Sequence, residues 1–172
     1  AGLALALPLY LIGLASTPTM GQPHSWLGLG ILRVANPPLL EWIAPLVTQT
    51  DNLDRFVFYR HPMALAAWFG VLLTALNLLP LGQFDGGHVA YAVLGRRATP
   101  LALGTFFLLL ALGLFGMWFA WLLWAFMGLL MGLRHPPPHD DITPLGRART
   151  VVGVATAVLF ALIFVPVPFY AP

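Results

Sequence analysis

Hydrophobic and polar positions fall in long blocks along this chain rather than alternating residue by residue. Residues 2–15 are apolar and uncharged. A bilayer core of about 30 Å takes about twenty helical residues. The run therefore predicts the end of a spanning helix begun upstream, kinked at Pro8. Residues 16–60 are the longest polar stretch, with three arginines (Arg33, Arg55, Arg60) and three acids (Glu41, Asp51, Asp54). Two pieces of it, 26–34 and 39–47, have amphipathic character. The stretch predicts an interfacial or extramembrane loop with short helices or strands.

The second half is more apolar. Residues 62–80 are long enough to span, and the run ends at Asn77, Pro80 and Gly82. It resumes after Asp85, Gly86 and Gly87 and continues to about Leu94, where Gly95, Arg96 and Arg97 stop it. Residues 61–95 thus predict a helix broken at membrane depth. Such a break is tolerated where it is buried in protein or lines a cavity. Residues 100–133 are apolar throughout. As one helix they would run roughly 50 Å, well beyond the bilayer core. A break at 113–116 predicts a helical hairpin instead. The hairpin puts Arg96 and Arg97 on the same side as Arg134, Arg147 and Arg149, the cytoplasmic side by the positive-inside rule. Residues 134–149 predict a Pro-rich cytoplasmic loop. Residues 150–165 predict a last span, ended by Pro166 and Pro168, with Phe169 and Tyr170 as interface anchors. The expected fold is an all-α integral membrane protein: one membrane domain, a polytopic helical bundle of about four to six transmembrane segments.

Composition agrees. The 172 residues are 59% hydrophobic and 8% charged, with a mean hydropathy of +0.85. A soluble domain carries about a quarter charged residues. The absence of cysteine excludes disulfides and thiolate metal sites. All eight basic residues are arginines, the usage of a GC-rich or thermophilic genome. They are scattered and flank apolar runs, so the net charge of +2 points to membrane orientation and not to nucleic acid. The chain opens on Ala1, Gly2 and Leu3 with no Met and no basic leader, unlike a signal peptide. A fragment with an upstream part is expected, and the location expected is a bacterial inner membrane.

Asp85 is the residue that asks for an explanation. The other five acids lie in the two polar connecting segments, whereas Asp85 lies between apolar stretches. A carboxylate at membrane depth is costly and is retained with a partner: a cation, a proton relay or a metal. Pro80 and Gly82 break the helix and expose backbone groups. Asn77 offers an amide to satisfy them or to hold an extended peptide. Asp85 starts the resumed helix, where the helix dipole favours the ionised form that a cation needs. Gly86 and Gly87 allow another helix or a ligand to approach closely. His88 follows Asp85 by three residues and shares its helical face. The residues alone leave three readings open: a kinked helix whose Asp pairs with an Arg or a backbone amide, a metal or catalytic site, and an ion-translocating site.

The segment Asn-Leu-Leu-Pro-Leu-Gly-Gln-Phe-Asp-Gly-Gly at 77–87 resembles the second signature of the site-2 proteases, the intramembrane zinc metalloproteases of peptidase family M50. That signature reads Asn-x-x-Pro-x-x-x-x-Asp-Gly-Gly. Asn77, Pro80, Asp85, Gly86 and Gly87 match it, with Phe84 where Leu is usual. The flanking segments 8–13 and 135–141 look like the bacterial and plastid branch. The resemblance implies that Asp85 is a zinc ligand and that Asn77 and Pro80 help position an unwound transmembrane protein substrate within the bilayer. His88 is expected to pack or to support the site from behind. The family's first signature, His-Glu-x-x-His, supplies two zinc ligands and the general base. It does not occur in these 172 residues, and the resemblance implies that it lies upstream. The chain alone is then expected to be inactive. His135 and His139 have the right spacing, but Pro136, Pro137 and Pro138 forbid the helix that would bring them to one face.

The leading expectation is therefore a zinc-dependent intramembrane endopeptidase. The alternatives are a non-catalytic pseudoprotease or membrane-binding protein and, more remotely, an ion-coupled transporter. Among weaker signals, Trp118, Trp121 and Trp124 read as a packing or lipid-facing stripe. Asp140 and Asp141 read as caps of a short helix.

Overall fold

The structure is a computed structural model that describes residues 2–16, 33–46, 62–116, 118–133 and 146–170. Helices dominate these residues. In chain order they are α1 (Gly2–Ala15), α2 (Pro38–Ile43) with a 3-10 turn at Ala44–Leu46, α3 (Pro62–Asn77), α4 (Asp85–Leu94), a 3-10 turn at Gly95–Arg97, α5 (Ala98–Leu114), α6 (Ala120–Met131) and α7 (Arg147–Ile163). Two strands of two residues, β1 (Arg33–Val34) and β2 (Phe169–Tyr170), pair antiparallel. The chain divides into two compact units, one of Ala1–Ala75 with Leu162–Pro172 and one of Leu76–Ala161.

In the first unit α1 runs unbroken through Pro8 and lies against α3 through small residues. A Cβ on Gly13 would meet the Ala64 backbone nitrogen at 2.6 Å, and one on Gly70 would meet the Ala6 Cβ at 3.2 Å. One on Gly2 would meet the Thr74 hydroxyl at 2.7 Å. Positions 2, 6 and 13 thus meet 74, 70 and 64, an antiparallel pair held at the close distance that glycine and alanine allow. Thr74 turns its hydroxyl back to the Gly70 carbonyl at 2.7 Å, which keeps the polar atom satisfied within the helix. Trp68 is buried. Its Nε1 donates to the Ala35 carbonyl at 3.0 Å, and its ring meets Phe169 edge-on at 5.3 Å. Phe169, expected as a membrane-interface anchor, is part of this aromatic cluster. The Trp68 and Phe69 side chains give it more contact area there than a single exposed ring would find.

In the second unit α5 and α6 form a helical hairpin. Gly113 leaves room for Leu122, whose Cγ would lie 2.6 Å from an added Cβ, and Gly116 makes the turn with φ +76°. Trp121 is fully buried and meets Trp118 edge-on at 5.1 Å. Residues Asp85–Leu114 are helical in sequence and apolar enough to cross a membrane; Gly2–Ala15, Pro62–Asn77 and Ala120–Met131 are shorter apolar helices. That 30-residue run is not one rod. Gly95 turns the chain at φ 58° and ψ −133°. Gly87 and Ala90 of α4 then share a small cavity with Ala98 and Ala102 of α5, which a straight helix would hold apart at about 1.5 Å per residue.

Residues 17–32, 47–61 and 134–145 lie outside the described residues. These contain His24, His61, His135, His139, Asp140 and Asp141, most of the polar stretch over 16–60, and most of the 134–149 loop.

Candidate functional site

The Asn77-to-His88 segment folds as a loop that sorts its side chains by polarity. Leu79, Leu81 and Phe84 are buried, whereas Asn77, Gln83, Asp85 and His88 are exposed. The reason is local. Pro80 has no N–H to continue α3, and Gly82 takes φ +50°, a conformation that costs glycine least. The backbone closes on itself through Leu79 N–H to the Leu76 carbonyl at 3.3 Å, Leu81 N–H to Leu79 at 2.7 Å and Phe84 N–H to Leu81 at 3.0 Å. Phe84, extended at φ −66° and ψ 161°, then starts α4. Its carbonyl accepts the first helical bond, from His88 N–H at 3.0 Å.

Gly86 and Gly87 explain why the loop can lie this low. A Cβ on Gly86 would overlap the carbonyl oxygen of Leu78 and come within 2.5 Å of that of Leu79. One on Gly87 would overlap the carbonyl oxygen of Gly82. The loop's own backbone occupies the space that the sequence reading gave to a ligand or another helix. The effect is to set the loop carbonyls against the first turn of α4, whose end attracts negative charge.

The opposite side of the loop rests on α6. Leu81 sits against Gly128, where an added Cβ would overlap its side chain. Gly82 lies on the Gly132 carbonyl, and Phe84 meets the Trp124 ring at 5.8 Å. Trp124, read from the sequence as part of a packing or lipid-facing stripe, packs here on Phe84, and Gly128 and Gly132 are positioning residues that the sequence reading did not single out. The signal was present: Gly128 and Gly132 are spaced as two small residues four apart on an apolar helix, the pattern that marks close backbone approach in membranes.

Asp85 is the first residue of α4 and is exposed. The backbone that follows it is held by the packed glycines, and its side chain is exposed. One hard oxygen donor is what a divalent metal asks of it. Among the described residues no group of three or more His, Cys, Asp or Glu side chains is placed to hold a metal ion. The described residues therefore do not make up a zinc centre by themselves. His88 is exposed one turn on from Asp85, and Asn77 is the exposed last residue of α3.

Residues 40–120, which contain the loop, match the model of peptidase family M50. The chain is 37% identical over 107 residues to the probable zinc metalloprotease EGY3, chloroplastic, of Oryza sativa subsp. indica, covering 61% of this chain and 18% of that protein. It is 28% identical over 180 residues to the probable zinc metalloprotease EGY2, chloroplastic, of Arabidopsis thaliana, covering 98% of this chain and 30% of that protein. It is 29% identical over 171 residues to the probable zinc metalloprotease EGY1, chloroplastic, of the same plant, covering 97% and 30%. The chain thus spans less than a third of the length of these relatives. No solved structure matches. These relatives carry chloroplastic names, and they lend no support to the bacterial inner membrane expected from the sequence.

Proposed function

Because this chain belongs to peptidase family M50, the site-2 proteases, we propose that it forms part of a zinc-dependent intramembrane endopeptidase and supplies one zinc ligand, Asp85. One observation carries the reading. The only acid in residues 62–133 begins a helix whose next two residues are locked against loop carbonyls. A ligand needs that kind of support, because a metal site loosened by about 1 Å loses function.

Polarisation of a peptide carbonyl and acidification of water are the chemistry that a zinc centre supplies when bound. Two further donors and a general base are required from residues other than those described. The role of this chain is then to hold and to orient. Asp85 presents its carboxylate at the positive end of α4. Asn77 and Gln83 provide exposed amides on either side of the loop, suited to the backbone of an extended peptide. A substrate helix must unwind before it can be cut, because its amides are bonded and covered. An interrupted helix offers such a segment replacement partners. In this proposal the apolar helices lie in a bilayer as parts of a polytopic bundle, and the substrates are transmembrane proteins.

The test is cleavage of a transmembrane reporter by the full-length protein in membranes. Asp85→Ala is expected to abolish cleavage and zinc binding together. Asn77→Ala is expected to lower cleavage and to leave zinc in place. A full-length protein that neither binds zinc nor cleaves would leave a non-catalytic binding role.

A further inference from the structure

A cavity of about 240 Å³ lies behind the loop, between α4, the start of α5 and α7. Its walls are apolar. The one hydroxyl among its lining side chains, that of Thr156, donates to the Val152 carbonyl of its own helix at 2.8 Å. The two long walls meet where Gly153 abuts Val93, with Val89 also near. From that contact the lining extends back along α4 to Gly86 and forward along α7 to Phe160. The two helices therefore run antiparallel along the cavity. Their other ends, away from the lining, carry Arg96 and Arg97 just past α4 and Arg147 and Arg149 at the start of α7. All four arginines are exposed. Within Leu76–Ala161 the only acid among the described residues is Asp85, at the far end of α4.

We propose that this is a binding site for an anionic phospholipid, with an acyl chain in the cavity and the headgroup phosphate among Arg96, Arg97, Arg147 and Arg149. Charge and size choose the occupant. An apolar slot whose two long walls both lead to exposed arginines at the same end matches a molecule that is apolar along its length and anionic at one end, and basic pockets between membrane helices hold such headgroups. A helix with side chains is about 10–12 Å across, and compact ligands take pockets of about 300–1,000 Å³. The cavity is too small for either and takes only a slender segment, such as part of one acyl chain. Guanidinium groups also bind phosphate in a forked geometry. The site rests on the membrane reading above and is independent of protease activity. A lipid here would brace α4 along the face that carries Gly86, Val89 and Val93.

The test is native mass spectrometry of the full-length protein released from detergent with phosphatidylglycerol or phosphatidylcholine added. Recovery from the membrane fraction is measured alongside. The expected result is retention of phosphatidylglycerol over phosphatidylcholine. Each arginine pair replaced by Gln should lower that preference on the order of tenfold. Ala157→Phe, which fills the cavity from an exposed position on α7, should lower retention of both lipids. Three results would overturn the proposal. The first is equal retention of the two lipids by a protein that does fractionate with membranes, which leaves the membrane reading intact. The second is full retention in Ala157→Phe, which reduces the arginines to a general surface attraction. The third is stabilisation by an apolar helical peptide and by neither lipid, which assigns the cavity to a polypeptide.

Discussion

The chain leaves α3 at Asn77 and enters α4 at Asp85; it leaves α4 at Leu94 and enters α5 at Ala98 through a single 3-10 turn. Both interruptions contain a glycine at positive φ, Gly82 at 50° and Gly95 at 58°. Their surroundings differ completely. A Cβ on Gly82 would overlap the Gly132 carbonyl, and the neighbouring Gly86 and Gly87 are in contact with backbone oxygens. A Cβ on Gly95 would meet nothing within 4 Å. One break is a packed platform in which glycine is required by space. The other is an open corner in which glycine is required by torsion alone. A site that must hold a carboxylate still belongs on the first kind. The second kind only redirects the chain.

Substitutions can break this contrast. Gly86→Ala is expected to have the largest effect, a loss of about 3 kcal/mol or more, because backbone oxygens cannot rotate away as a side chain can. The melting temperature of the full-length protein in detergent measures it, and a drop of only a degree or two would mean that the loop is not seated on α4. Trp124→Ala removes the ring under Phe84. Its expected cost is about 2 kcal/mol, read in the same melt, together with faster proteolysis at 78–84. Gly95→Ala tests the open corner and should cost only about 1–3 kcal/mol, the strain of the torsion without a clash. At the small end, Gly104 lies inside α5 with nothing within 4 Å of an added Cβ. Gly104→Ala should stabilise by about 0.5–1 kcal/mol through helix propensity. If Gly95→Ala cost as much as Gly86→Ala, the distinction between platform and corner would fail.

The two breaks were not equally legible from the sequence. Pro80 and Gly82 announce a break because one lacks an N–H and the other tolerates positive φ, and neither property depends on the rest of the molecule. Asp85 was legible for a similar reason: an isolated acid in an apolar run is conspicuous whatever surrounds it. Its placement at the start of a helix followed from the break. The use of Gly86 and Gly87 was not legible. A glycine reveals that something comes close, but not whether that something is ligand, helix or the chain's own loop. The contribution of α6 was hidden by distance along the chain. Leu81 and Gly128 are far apart in sequence, and an apolar helix rich in tryptophan looks the same whether it faces lipid or a loop. The contact between Phe169 and Trp68 was hidden in the same way, since the two lie about a hundred residues apart.

The central claim is that the platform exists to hold the Asp85 carboxylate for a metal. It is tested most directly by the zinc content of the purified full-length protein beside its Asp85→Ala variant, with the melting temperature of each measured in metal-free buffer. The account predicts about one zinc per chain in the unaltered protein. It predicts little or none in the variant, with metal-free melting temperatures that agree closely because Asp85 is exposed and its glycine neighbours are untouched. Equal zinc in the two proteins would contradict the claim.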